Sequence, residues 1–196
     1  MNREFLETIR IEDTKVFNIA YHQKRYEAAL ASLGVFEVKN LIDEIKPLDS
    51  GLLRCRIIYS KNSFSITFHR YIKRKIQRLK LICDDTLEYA FKYADRTAID
   101  ALYSKRGSAD DVLLVQKGLI TDTTVANIAL FDGEKWLTPR RALLKGTTRS
   151  RLLEEEKIVE ADISVDDLHN FSKCALLNAM IDFDIIASNN LEELFC

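Results

Sequence analysis

Gly146-Thr147-Thr148 stands where a helix is predicted to begin. The first turn of a helix carries N–H groups without an intrahelical acceptor and the positive end of the dipole, so this turn suits an anion. Arg54 and Arg56 lie two apart on a predicted strand and project from one face. Such a face either binds a carboxylate or is simply solvated. Arg96 and Arg149 are further cations of the same kind. The lysines are many, and periodicity singles out none of them. His22, His69 and His169 are far apart, and Cys55, Cys83, Cys174 and Cys196 are scattered, so no metal-ligand spacing appears. Three of the cysteines sit in apolar surroundings and read as buried free thiols, which suits a reducing cytoplasm.

The elements that must position these residues are short and mixed. Ile9, Ile11 and Val16 alternate around Glu12-Asp13-Thr14-Lys15, which predicts a hairpin over residues 8–19. Tyr26, Ala29, Leu30 and Leu33 fall at helical spacing over 21–33, with Gly34 as the stop. A second helix is expected over 38–45, before Pro47. Leu53, Cys55, Ile57 and Tyr59, then Phe64, Ile66 and Phe68, alternate on either side of a Lys61-Asn62-Ser63 turn and predict a second hairpin. The basic run over 73–80 reads as a solvated face.

Beyond Asp84-Asp85 a helix is expected over 95–105, stopped by Gly107. Strands follow at 112–116, 119–121, 127–131 and 136–138, with Lys117-Gly118 and Asp132-Gly133 as turns. A helix over 147–155, a strand over 158–163, an N-cap at Ser164-Val165-Asp166-Asp167 and a buried apolar run over 175–180 complete the pattern. The order is α+β, with two domains, 1–83 and 84–196.

The 196 residues are 47% apolar, enough for a sizeable core. The formal charge of -1 gives no reason to expect nucleic acid or an anionic membrane as partner. No apolar run reaches membrane-spanning length, and the start of the chain is too charged for a signal peptide. There is no repeat and no long linker.

A set of ordered motifs resembles one family. Phe5-Leu6-Glu7-Thr8-Ile9-Arg10 leads through a hairpin to His22-Gln23-Lys24-Arg25, similar to the "fETlr" strand and "HxxRL" helix of class-IV aminotransferases, with Tyr26 in place of the leucine. Phe91-Lys92-Tyr93 stands where that family has its cofactor lysine. Then come Asp111-Val112-Leu113-Leu114-Val115, Gly118-Leu119-Ile120-Thr121-Asp122 and Ala126-Asn127-Ile128. Trp136-Leu137-Thr138-Pro139 follows, then Leu143-Leu144-Lys145-Gly146-Thr147-Thr148-Arg149, and late in the chain Leu177-Asn178-Ala179-Met180. Each piece alone is weak; the order makes the resemblance specific.

The resemblance implies a two-domain fold-type IV enzyme, D-amino-acid aminotransferase-like. Its N-terminal part is an α/β layer and its C-terminal cofactor-binding part a β-rich pseudo-barrel. It implies pyridoxal 5'-phosphate, held by Lys92 as a Schiff base, with the same lysine moving the substrate proton. Asp122 takes the place of the family's glutamate beside the pyridine nitrogen, one methylene shorter. Arg25, Gly146, Thr147, Thr148, Asn178 and Ala179 take the places of phosphate contacts. Arg54 or Arg56 would meet a substrate carboxylate. The implied reaction is transamination of an amino-acid-like substrate in a cytoplasmic homodimer. A second reading is 4-amino-4-deoxychorismate lyase, toward which Ala126-Asn127 and Asn178-Ala179 lean. A third is a catalytically weak cofactor-binding or interaction protein. Relatives carry about twenty more residues before the first strand, so the family's substrate specificity does not transfer.

Overall fold

The structure is a computed structural model that describes residues 3–47, 50–188, 191, 194 and 195. Cys196 lies outside the described residues. The chain divides into two compact units, the first of residues 1–73 with 91–95 and the second of 74–90 with 96–196.

The first unit is a four-stranded antiparallel sheet with a helix. Strands β1 (Phe5–Glu12) and β2 (Lys15–Val16) form the expected hairpin, and Asp13 and Thr14 take φ of 46° and 70°, the left-handed pair that a two-residue hairpin turn requires. Helix α1 (Ile19–Ala31) follows, and Gly34 closes its end with φ of 77°. Strands β3 (Leu52–Tyr59) and β4 (Phe64–Arg70) complete the order β2-β1-β3-β4. Phe5, Ile9, Ile11, Leu53, Ile57 and Tyr59 share one face and pack with Tyr26, Ala29 and Leu30 of α1. Each large apolar side chain so buried contributes about 1.5–3 kcal/mol.

The helix expected over 38–45 shrinks to one turn, α2 (Leu41–Glu44). Asn40 is extended there, and the Leu41 N–H donates to Gln23 Oε1 of α1 at 2.9 Å. Val38 and Asn40 are weak helix formers, so this contact wins.

The second unit is a mixed sheet. Strands β5 (Leu79–Cys83), β6 (Asp111–Gln116), β7 (Leu119–Thr123), β8 (Asn127–Phe131), β9 (Trp136–Pro139) and β10 (Val159–Ala161) run in the order β10-β9-β8-β7-β6-β5. Strand β11 (Lys173–Asn178) also pairs with β8 and carries β12 (Asp182–Ser188). Two pairs are parallel, β5 with β6 and β9 with β10. A parallel pair needs a crossover. Helices α3 (Thr97–Ser104) and α4 (Thr147–Glu154) lie on these crossovers. Ser164 and Asp167 bond each other reciprocally, as a capping box does, but only a 3-10 turn, Asp166–Asn170, follows.

The division falls before residue 83. Strand β5 pairs with β6 and belongs to the second unit, and residues 91–95 return to the first because they pair with β1. Three buried thiols are expected from the sequence; among the described residues Cys55 and Cys174 are buried, whereas Cys83 is exposed at the end of β5. Burial pushes the Cys55 thiol up to about 12 and raises Cys174 as well. No helix among the described residues is long and apolar enough to cross a membrane.

Candidate functional site

In the first unit, Lys92 is rooted by backbone pairing. The Leu6 N–H donates to the Lys92 carbonyl at 2.8 Å, and the Ala94 N–H donates to the Glu4 carbonyl at 2.9 Å. The rings of Phe91 and Tyr93, on either side of the lysine, lie 5.5 and 5.7 Å from that of Phe5. The backbone of the lysine is thereby stitched to the start of β1 and its neighbours are anchored in the core.

On the core face of β1, between Phe5 and Ile9, stands Glu7, fully buried. A lone carboxylate there would be prohibitive, and it is not alone. Arg25 donates from Nε to Oε1 at 2.8 Å and from Nη2 to Oε2 at 2.6 Å. His22, one turn earlier on α1 and also fully buried, meets Oε2 through Nδ1 at 2.6 Å. Burial by itself would raise the Glu7 carboxyl, but the Arg25 charge and the bonds from Arg25 and His22 outweigh it and hold the group at about 2. An ionised Glu7 only accepts, so Nδ1 of His22 carries the proton. Burial, and then the Arg25 and Lys92 charges, push the imidazole below its ordinary 6.5 against the pull of Glu7, toward the neutral ring.

In the second unit, Asp122 ends its run on β7 as a buried carboxylate. Its Oδ1 accepts from Asn127 Nδ2 at 2.8 Å and its Oδ2 from the Leu144 N–H at 2.9 Å. Burial outweighs these bonds and the Arg149 charge, and lifts the carboxyl from 3.8 to about 6. Two residues beyond Leu144, Gly146 opens α4, and Thr147, Thr148 and Arg149 are all buried in its first turn. Thr148 Oγ1 is buried without a hydrogen-bond partner among the described residues. Arg149 fixes the helix start, donating from Nη2 to the Pro139 carbonyl at 2.9 Å and to Glu160 at 2.7 Å. A strand that leads into a helix N-terminus, as β9 leads into α4, is a recurrent seat for anionic groups.

The residues expected from the sequence thus fall into two sets. Arg25 and Lys92 belong to the first unit; Asp122, Gly146, Thr147, Thr148, Asn178 and Ala179 belong to the second. Asn178 ends β11, and its Oδ1 accepts the Met180 and Ile181 N–H groups at 2.9 and 3.1 Å, building the turn into β12. Arg54 and Arg56 share the sheet face away from α1, opposite Arg10 and Thr8 respectively. Arg54 Nε is buried without a hydrogen-bond partner among the described residues. Arg96 donates to the Thr124 carbonyl at 3.0 Å and, like Arg149, is tied to its own unit.

Sequence reasoning missed Glu7, His22 and Asn127 as members of these sets. The first two leave a trace: Glu7 falls on the inward face with Phe5, Ile9 and Ile11, where a charge needs partners, and His22 and Arg25 are three apart on one helix. Among the described residues no group of three His, Cys, Asp or Glu side chains could hold a metal ion.

The family model of class IV amino-transferases matches residues 4–188. An uncharacterized protein of Haemophilus influenzae is 40% identical over 182 residues, spanning 89% of this chain and 96% of its own. A crystal structure from Haemophilus somnus 129pt, provisionally named a 4-amino-4-deoxychorismate lyase, is 30% identical with a TM-score of 0.86 and covers 92% of this chain and 97% of its own. A Schizosaccharomyces pombe protein provisionally named an aminodeoxychorismate lyase is 40% identical over 86 residues, 41% of this chain and 36% of its own. With its α+β architecture and a match over nearly its whole length, the chain belongs to the class IV aminotransferase family of pyridoxal-phosphate-dependent enzymes.

Proposed function

We propose that this chain binds pyridoxal 5'-phosphate at Lys92 and transfers an amino group between an amino-acid-like substrate and a 2-oxo acid. The observation that carries the reading is the second unit's pairing of a buried carboxylate, Asp122, with a turn that opens a helix on an unpartnered hydroxyl, Thr148. A basic ring nitrogen suits the first and a phosphate suits the second, so the donor set fits the family's cofactor. When bound, pyridoxal phosphate supplies an aldehyde that condenses with amines and a ring that takes up the electrons of a bond broken at the α-carbon.

The chain's own residues then have definite tasks. Asp122 holds a proton at the ring nitrogen, and a cation there returns its carboxyl to the ionised form. Both its oxygens already accept one bond, but each has a second lone pair, so a further donor is accommodated. Gly146, Thr147 and Thr148 hold the phosphate through first-turn N–H groups and the Thr148 hydroxyl. Arg25, steadied by Glu7, adds a guanidinium. Asn178 spends its amide oxygen on its own turn and one Nδ2 donor on the Val125 carbonyl, and its second Nδ2 donor with the Ala179 backbone is this corner's contribution. Lys92, with its backbone pinned to β1, carries the α-proton. Arg54 or Arg56 meets the substrate carboxylate, and the active form is a homodimer.

A second reading, 4-amino-4-deoxychorismate lyase, is supported by the likeness to the Haemophilus somnus protein. Both reactions remove the α-proton and differ in what leaves next. Reduction with borohydride in the presence of pyridoxal phosphate, followed by peptide mapping, is expected to label Lys92, and Lys92→Ala to abolish the label. A label on another lysine refutes the assignment, and no label with no near-visible band refutes the enzyme. Pyruvate and 4-aminobenzoate from aminodeoxychorismate would establish the lyase; a new amino acid from a 2-oxo acid, the transaminase.

A further inference from the structure

The Asn127 side chain touches both ends of the second unit's set. Its Nδ2 donates to Asp122 Oδ1 at 2.8 Å and to the Leu144 carbonyl at 2.8 Å. The Leu144 N–H returns a bond to Asp122 Oδ2 at 2.9 Å, so the three residues close a ring of hydrogen bonds. Both Nδ2 partners are acceptors, which fixes the amide's orientation and uses both of its donors.

The other edge of the amide faces Gly146. A Cβ built at Gly146 would lie 2.1 Å from Asn127 Oδ1 and 3.2 Å from Cγ. Gly146 has φ of -66° and ψ of 146°, a conformation open to any residue. Backbone freedom therefore does not explain the glycine; the close approach of Asn127 does. The obstructing atom is a side-chain end, yet swinging it away would break both Nδ2 bonds.

An asparagine that merely satisfied the Leu144 carbonyl would need neither Asp122 nor a glycine at 146. Asn127 engages all three. We propose that Asn127 is a positioning residue that fixes the Asp122 carboxylate and the Gly146–Thr148 turn as one bracket, so that a single amide sets the spacing between the acid and the phosphate donors. The proposal rests on the pyridoxal-phosphate reading, since it is that molecule whose ring nitrogen and phosphate the bracket would space.

The test is a double-mutant cycle of Asn127→Ala and Gly146→Ala, read by pyridoxal phosphate titration, by thermal unfolding of the cofactor-free protein and by carbon-13 NMR titration of Asp122. Gly146→Ala alone is expected to weaken binding about tenfold or more, the worth of one good hydrogen bond or above. Asn127→Ala is expected to weaken binding and to move the Asp122 titration upward, because a stabilising donor is lost. The double variant is expected to bind no worse than Asn127→Ala, because the alanine at 146 then meets open space.

Independent, multiplying losses would overturn the bracket, as would an Asp122 titration that Asn127→Ala leaves in place. Asn127→Ser, too short to reach Leu144, replaces Asn127→Ala should the latter not fold. A wild-type protein that does not bind pyridoxal phosphate overturns the proposed function, and the bracket then stands or falls on the Asp122 titration and the unfolding cycle alone. The unfolding and NMR readings, which need no cofactor, separate that failure from a failure of the bracket.

Discussion

Glu7 and Arg25 are joined edge to edge, Nε to Oε1 at 2.8 Å and Nη2 to Oε2 at 2.6 Å, with Glu7 wholly removed from solvent and Arg25 15% exposed. The pair is held where β1 would otherwise carry another apolar core residue. Removing one partner of a buried pair leaves an uncompensated charge, which costs about 3–5 kcal/mol. Arg25 retains some access to water, so Glu7→Ala is expected near the lower end, about 3 kcal/mol by urea unfolding. Glu7→Gln keeps the shape and an acceptor, and should lose about 1–2 kcal/mol. A Glu7→Ala protein as stable as the wild type would mean that the pair contributes nothing.

The same cluster predicts the acid limb of stability. His22 is held below 6.5 and Glu7 is held at about 2 against an ordinary 4.5. In both cases the unfolded chain binds the proton more readily than the folded one, so stability falls as pH falls. The loss begins below 6.5 with His22 and continues below 4.5 with Glu7. Measured against His22→Gln, which removes this group and leaves the rest, the wild type should lose unfolding free energy as pH is lowered from 7 to 5. A drop of equal size in both proteins would remove His22 from the account.

Asp122 acts with the opposite sign. Its folded carboxyl is raised from 3.8 to about 6, so its contribution is fully present below 3.8 and is lost as pH rises through 6. A shift of that size corresponds to roughly 3 kcal/mol across the window. Measured against Asp122→Asn, the cofactor-free wild type should therefore lose stability as pH rises from about 4 to about 6 and hold level above that. With pyridoxal phosphate present the order should reverse, because a carboxylate is stabilised beside a cationic ring. Identical pH profiles for the two cofactor-free proteins would contradict the burial-driven shift.

The pattern of what the sequence disclosed follows from which forces are local. Turns at Asp13-Thr14 and Lys117-Gly118 and the alternation of β1, β3 and β4 are written in adjacent residues, and the structure follows them. Strand β12 escaped notice because Asp182 and Asp184 break its apolar pattern, and its pairing partner β11 supplies the order. Chemistry was harder than fold. Lys92 looks like any lysine until a family resemblance marks it, whereas the Asn127–Gly146 approach depends on two residues nineteen apart that meet only after β8, β9 and α4 are built. Glu7 was legible in principle, as a charge on an apolar face.

Thr148 separates a hydroxyl reserved for a ligand from one that is merely misfit. Its Oγ1 is buried without a partner among the described residues, an arrangement that costs stability in the cofactor-free protein. Thr148→Val keeps the shape and removes the unsatisfied oxygen, so the cofactor-free variant should be more stable by about 1 kcal/mol. The same change removes a phosphate donor, so pyridoxal phosphate affinity should fall about tenfold. Opposite signs in thermal unfolding and ligand titration are the signature of a ligand-reserved hydroxyl. A fall in both would make Thr148 a structural residue, and unchanged affinity would take its hydroxyl out of the phosphate site, leaving the backbone N–H groups of the turn to hold the anion.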